Sequence, residues 1–356
     1  QRDPRTPHRT RHRDDSARHR SRQVHVSDRS QGVRPHRSGN HAPQGNRGRS
    51  GSKSGLEVCY VRHAQSVSNA AGIWQGQGDS PLSATGRAQV DDLRTALRGE
   101  AFDLALSSDL SRAADTAKAL GVEVRHDRHW REIDVGEWEG LSMEQVIERF
   151  PDQIAALRER RTFEIGGGES WPEVFARADG ALSRLREELD GGGRAIVFTH
   201  GGIIAAILAG LLGVRDAFPW PLGRMRNTGR TTVRFTEEQV ELLAHNDDRH
   251  LRPDRRQAYE PRADQAIVRL NVVEPDPDTA TTDFTSAIKS ARNTGAGGAV
   301  SVSATSQQMV ALAEATVGAV SSKFRFLEPP VGHSAELLIS EKHQMLLDYG
   351  VPGLQI

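Results

Sequence analysis

From Ala195 to Val214 the chain is apolar at almost every position except Thr199-His200-Gly201-Gly202. A run of about 20 apolar residues is long enough to cross a bilayer as one helix. The Thr-His-Gly-Gly insert divides it instead into AIVF, short and rich in β-branched residues, and IIAAILAGLL, long enough to be a helix. A buried strand, a loop and a buried helix is the better reading. No membrane association is expected.

The neighbouring pattern extends this reading. Glu57–Val61 is a second apolar strand candidate, and a polar loop follows it through Asp79. Ser83 is placed to cap a helix over 84–97, with Val90, Leu93 and Leu97 on one face. Short strands are predicted at 103–106 and 122–124, with an Ala-rich helix at 110–120 between them. Ser142-Met-Glu-Gln145 and Ser170-Trp-Pro-Glu173 match the capping-box pattern, so each starts a helix. Residues 231–235 and 240–244 read as a closing antiparallel pair. This alternation predicts an α/β fold, a three-layer α/β/α sandwich with a mainly parallel sheet, over residues 56–246.

The flanks read differently. Residues 1–55 contain fourteen Arg or Lys, four Asp, no Glu and six His, with few large apolar side chains. Such a segment buries too little apolar surface to offset its ordering entropy, so disorder is expected. Its charge attracts nucleic acid and other polyanions non-specifically. In the absence of a motif, a solvated extension is the plainer reading. No apolar stretch follows the charges, so a secretory signal is not expected. Residues 247–356 read as a linker, at 252–265, and a C-terminal extension of unknown role, with a strand at 266–273 and a helix at 305–320. Cys59 is the only cysteine, which excludes an intramolecular disulfide or a Cys-based zinc site and fits a reducing, cytoplasmic setting.

The residues with chemistry in them cluster at predicted strand ends. Arg62-His63 follows the first strand, His200 follows AIVF, and Arg112 stands in Ser107-Ser108-Asp109-Leu110-Ser111-Arg112 at another strand-to-helix junction. In open α/β sheets, ligands bind beyond the carboxyl ends of the strands. Two imidazoles and two guanidiniums converging there suit a phosphate dianion, since Arg binds its oxygens in pairs and imidazole attacks phosphorus or donates to oxygen.

On these residues the chain resembles the histidine phosphatase superfamily, the phosphoglycerate-mutase-like clan. The matching pieces are Arg62-His63, Asn69, Gln75-Gly76, Asp79, Pro81-Leu82-Ser83, Gly86, Gln89, Ser107-Ser108, Arg112 and Thr116. They continue with Arg131 to Gly140, Gly168-Glu169-Ser170 and Thr199-His200-Gly201-Gly202, in the family's order over about 56–246. The resemblance implies hydrolysis of phosphate monoesters through a phosphohistidine on His63. Arg62, Arg112 and His200 would hold the phosphoryl oxygens, Glu132 would be the proton donor, and Asn69 and Gly201 would shape the pocket. No metal and no cofactor are implied; the implied partner is a small phosphorylated metabolite, and nothing points to an oligomeric state. A phosphoglycerate mutase and a non-catalytic phospholigand-binding module are the alternatives. The short Glu132-to-His200 interval favours the phosphatase branch over the mutase, and retention of a proton donor argues against the non-catalytic module. Ala64 departs from the family's usual Gly and would strain the loop if that position needs a positive φ. Glu137 and Glu139 are rivals of Glu132. Trp138 reads as core, and the His126…His129 and His245…His250 spacings as polar surface rather than metal sites.

Overall fold

The computed structural model describes residues 55–159, 161–216, 221–257, 265–275, 299–318, 321–340 and 344–350. The expected disordered tail and the Gly-rich stretch at 295–298 lie outside the described residues.

Two apolar strands form the centre. β1 (Leu56–Arg62) runs parallel to β4 (Gly193–Thr199), with Val58 opposite Ala195 and Arg62 opposite Thr199. Because side chains alternate across a strand, each strand supplies two cores. Val58, Tyr60, Ala195 and Val197 join one, which lies under α6 (Trp171–Glu188) and α7 (Gly201–Leu212). Cys59, Val61, Ile196 and Phe198 join the other, with Val90, Leu93 and Leu97 from α2 (Ala84–Ala96) and its C-cap, and Ala117 from α3 (Ser111–Ala117). Helices on both faces make this the expected α/β/α arrangement. α7 buries Ile203, Ile204, Ile207, Leu208 and Leu212, which accounts for its apolar run. No helix among the described residues is long and apolar enough to cross a membrane.

The parallel centre is completed by β2 (Leu104–Ser107) beside β4 and β3 (Arg125–His126) beside β2. On the other side the sheet turns antiparallel through β5 (Arg230–Phe235) and β6 (Val240–Asp247). The sheet as a whole is therefore mixed, with the parallel strands at its core. The capping boxes at Ser142 and Ser170 form, starting α4 (Met143–Arg149) and α6, and α5 (Pro151–Arg158) follows α4 with Pro at its first position. Two elements differ from expectation. The third edge strand forms at 125–126 rather than 122–124, because Gly121 turns the chain in a left-handed conformation and leaves Val122 exposed. The loop after β1 contains a short helix, α1 (Val67–Ala70), closed by a box between Ser66 and Asn69.

The described strands past residue 246 continue the sheet. β7 (Gln265–Val272), β8 (Ala299–Ala304), β10 (Ser334–Ser340) and β11 (Gln344–Gly350) extend it in the order β6-β11-β10-β7-β8. The outer edge of β6 is shared: β9 (Phe324–Phe326) pairs with Val240–Leu242, and β11 with Ala244 and His245. α8 (Ser306–Val317), capped by Thr305, adds Met309, Leu312 and Val317 to the same core as α6 and α7. The stretch expected as a linker begins docked: Arg255 donates to Asp92 and to the Ala88 carbonyl of α2, each at 2.8 Å. The described residues from Gly55 to Gly350 accordingly belong to one compact unit.

Candidate active site

The register of β1 against β4 brings the two histidines together. Arg62 faces Thr199, and the His63 amide continues the ladder by donating to the Thr199 carbonyl at 2.8 Å. His63 and His200 are therefore neighbours, with ring centroids 5.1 Å apart, and both are buried. His63 Nδ1 lies 2.8 Å from the Ala64 carbonyl. A carbonyl only accepts, so Nδ1 carries the proton and the lone pair sits on Nε2. His200 Nε2 lies 2.8 Å from the Ser108 hydroxyl, and its Nδ1 is buried with no partner. With Ser108 donating to Nε2, Nδ1 becomes the N–H that points at a ligand.

Both guanidiniums are anchored at one end only. Arg62 Nη1 donates to the Met225 carbonyl at 2.5 Å. Arg112, fully buried, donates from Nη1 to the Gly78 carbonyl at 2.8 Å and from Nη2 to the Gly76 carbonyl at 2.7 Å. The Nε of each is buried without a partner. With His200 Nδ1 this makes three buried donors in one pocket that the described protein atoms leave unsatisfied, each at a cost of about 1–3 kcal/mol unless an acceptor arrives. An anion with several oxygens satisfies all three.

The charge balance is consistent with this. Burial, and then the Arg62 and Arg112 charges, hold His63 well below the ordinary imidazole range. His200 is lowered by burial, then by Arg112 and His63. Both are neutral at physiological pH, one able to attack and the other to donate. Burial lowers Arg62 to about 10, so it remains a cation.

Glu132 reaches the pocket from the segment after β3. Its Oε2 accepts from the Gly202 amide at 3.2 Å and its Oε1 from the Ile133 amide at 2.9 Å. Its charge acts on both Arg62 and Arg112. Of its rivals, Glu137 is exposed, and Glu139 is exposed against Gly78, where a Cβ would meet its Oε1. Trp138 is core, stacked edge-on to Trp74 at 5.4 Å. Asn69 Oδ1 accepts from Asn227 Nδ2 at 3.2 Å, and the same Nδ2 donates to the His63 carbonyl at 2.9 Å. Gly201 opens α7 beside Arg62, with its Cβ direction 3.5 Å from Arg62 Nε.

Several residues of the pocket carried no role in the sequence reading. Ser108 orients His200, Thr116 accepts from the Ala64 amide at 2.9 Å, and Asn227 supports His63. Arg177 braces the Glu132 segment, donating to the carbonyls of His129, Arg131 and Glu132 while clasping Glu169. Ser108 and Thr116 lay inside the family-like motifs; Asn227 and Arg177 have no local signal at all. Two expectations are corrected. Ala64 is not among the residues with positive φ, so the strain foreseen there does not arise. His245 is fully buried, with both ring nitrogens unpartnered, rather than part of a polar surface. Among the described residues, no group of three or more His, Cys, Asp or Glu is arranged to hold a metal ion.

A parallel strand pair ending in two adjacent histidines, flanked by two buried guanidiniums, is an α/β site of the phosphoglycerate-mutase-like kind. Sequence comparison carries this further. Residues 58–248 match the model of the histidine phosphatase superfamily (branch 1). Glucosyl-3-phosphoglycerate phosphatase of Mycobacterium tuberculosis is 38% identical over 188 residues, covering 49% of this chain and 84% of the relative. Phosphoserine phosphatase 1 of Hydrogenobacter thermophilus is 31% identical, covering 55% and 94%. A phosphoserine phosphatase variant from Entamoeba histolytica, solved with phosphoserine, superposes with a TM-score of 0.50 at 25% identity, covering 55% of this chain and all of the other. The chain belongs to the histidine phosphatase superfamily, and it is a phosphoric monoester hydrolase.

Proposed function

We propose that the chain hydrolyses small phosphorylated metabolites in two steps at His63. In the first, the Nε2 lone pair attacks phosphorus, the bond to the ester oxygen breaks, and Glu132 gives that oxygen a proton. In the second, Glu132 takes a proton from water, which attacks phosphorus; the N–P bond breaks and neutral His63 returns. Arg62, Arg112 and His200 hold the phosphoryl oxygens throughout, the charge stabilisation on which phosphoryl transfer mostly depends. Asn69 and Gly201 shape the pocket around the phosphoryl group, Gly201 by leaving room beside Arg62. The observation that carries this reading is the set of three unsatisfied buried donors around an imidazole whose free lone pair is on Nε2.

We further propose that 56–246 carries the chemistry and that 247–356 shapes it, and that the buried thiol of Cys59 belongs in a reducing, cytoplasmic setting. Hydrolysis is favoured over mutase activity because the Glu132-to-His200 interval is largely committed. α6 packs into the core through Val174, Phe175, Ala178, Ala181, Leu182 and Leu185, leaving little chain to enclose a bisphosphate. Acid quench of the enzyme with labelled substrate should trap base-stable, acid-labile phosphate, and His63→Ala should abolish both the adduct and turnover. Full turnover in His63→Ala would end this reading. Interconversion of 2- and 3-phosphoglycerate faster than phosphate release from either would replace the hydrolase with a mutase.

A further inference from the structure

A cavity of about 500 Å³ lies where the end of β6 meets β7, β10 and β11. None of Arg62, His63, Arg112, Glu132 and His200 lines it. Its lining combines His245 and Asp248, at the end of the stretch that matches the family, with Glu336 and Asp348, which lie beyond that stretch. Arg226 joins the two sets, donating to Asp348 at 2.5 Å and to Glu336 at 2.9 Å. Glu336 also accepts from Arg269 at 2.7 Å, and Asp348 from the Asn246 side-chain amide at 3.2 Å.

Two groups of the lining are not provided for in this way. Asp248 is 5% exposed, and Arg226 approaches its Oδ2 only to 3.6 Å, so this oxygen is buried without a hydrogen bond. His245 is fully buried, and neither of its ring nitrogens has a partner. Burial and the Arg226 charge hold His245 down to about 3, so the ring is neutral and one nitrogen keeps a lone pair. The other guanidiniums of the lining are engaged elsewhere. Arg249 donates to Asp247 at 2.8 Å, and the exposed Arg256 donates to the carbonyls of Leu251 and Arg249 at 3.0 Å each.

A buried acceptor without a donor costs about 1–3 kcal/mol, and more when it is charged. Asp248 and the His245 lone pair therefore both call for N–H donors. Three carboxylates, Asp248, Glu336 and Asp348, share the guanidiniums of Arg226 and Arg269. A donor that brings positive charge serves a buried carboxylate better than water does. The acids are not arranged to hold a metal ion. A primary ammonium group is a compact cation with three N–H donors, enough for a carboxylate and an imidazole together.

We propose that this cavity is a second ligand site, which takes the primary ammonium group of a small molecule and has it donate to Asp248 and to a ring nitrogen of His245. A simple amine and an α-amino acid present the same group, and the test distinguishes them.

Three probes are titrated into the full chain at neutral pH, with binding followed by NMR. n-Butylammonium supplies the ammonium alone. Norvaline adds a carboxylate on the carbon that bears it. Butyltrimethylammonium keeps the charge and has no N–H. n-Butylammonium should saturate the site, and butyltrimethylammonium should bind more weakly by about tenfold or more, the loss of a hydrogen bond to a charged group. Norvaline binding more tightly than n-butylammonium assigns the site to an amino acid; equal or weaker binding assigns it to a simple amine. For the tighter of the two, Asp248→Asn should raise Kd about 10–100-fold with turnover of p-nitrophenyl phosphate unchanged, and His245→Leu should raise Kd as well. No saturable binding of either ammonium, equal affinity for the two butyl cations, or an unchanged Kd in Asp248→Asn would overturn the site. The comparison of the two butyl cations needs no variant, so it decides the matter even where a variant does not fold.

Discussion

A methyl group on Gly202 would lie 2.4 Å from Glu132 Oε1 and 2.6 Å from Ile133 Cδ1. The absence of a side chain at 202 thus lets the Glu132 carboxylate sit against the first turn of α7 and accept from the Gly202 amide. Gly202→Ala should therefore reproduce the signature of Glu132→Gln in a folded protein. Both variants should slow an alkyl phosphate by about 10²–10⁴-fold, the usual contribution of general acid–base catalysis. An aryl phosphate, whose leaving group hardly needs a proton, should suffer far less. Paired kcat measurements on glycerol 3-phosphate and p-nitrophenyl phosphate decide this, and equal losses on both would move the proton donor away from Glu132. The residue scale also separates what a motif shows from what it hides. Arg62-His63 and His200 stand out beside apolar strands, but the tautomer of His63 depends on the Ala64 carbonyl and that of His200 on Ser108, a contact across 92 positions.

At the scale of elements, legibility follows range. The helices at Ser83, Ser142 and Ser170 were readable because a cap and its partner lie three residues apart. The brace on the Glu132 segment was not readable, because Arg177 acts from the middle of α6 upon carbonyls 45 to 48 positions earlier. Two of its three guanidinium nitrogens, Nε and Nη2, are also locked to the Glu169 carboxylate, at 2.7 Å each. Arg177→Met removes the guanidinium from that carboxylate and from three carbonyls, leaving Glu169 only the Asp134 amide among the donors described. We expect a folded enzyme with kcat on glycerol 3-phosphate reduced at least tenfold and KM little changed, since Glu132 is displaced while the phosphate donors stay in place. A loss confined to KM would mean that Arg177 serves binding rather than the position of Glu132.

For the molecule as a whole, two predictions separate chemistry from stability. A chain shortened to 56–257 retains every proposed catalytic residue but removes β7 to β11, and with them the Glu336 and Asp348 partners of Arg226 and the outer neighbours of β6. It should melt at a lower temperature than the full chain, and its folded fraction should hydrolyse p-nitrophenyl phosphate within about threefold of the full chain, because the phosphate donors are anchored within 62–229. Folded but inactive material would place part of the site in the C-terminal strands. The second prediction concerns acid. His245 is held at about 3 and His250 at about 4, chiefly by burial, and His63 and His200 are lowered likewise. Below about pH 6.5 the unfolded chain takes up protons that the folded one refuses, so stability falls with pH from there down toward the folded values. Asp348, raised to about 8 by burial, acts in the opposite sense between its unfolded value and 8. His245→Leu should therefore flatten the dependence of unfolding free energy on pH by about 1.4 kcal/mol per unit between pH 6 and 4, measured by urea titration. An unchanged slope would show that His245 titrates alike in both states.

The sequence by itself determined the layered α/β core and the chemical character of its pocket. Buried strands, helix caps and the residue types that bind phosphate are written in short stretches, and apolar periodicity and three-residue spacings need no knowledge of distant chain. Only the tertiary structure decided which groups meet. The β1–β4 register sets His63 beside His200, α6 sends Arg177 back to the Glu132 segment, and β11 returns from the end of the chain to fix the loop that carries Arg226. Each of these contacts joins residues more than forty positions apart. The physical reason is that such contacts are selected by the packing of whole elements, in which no local stretch specifies its partner.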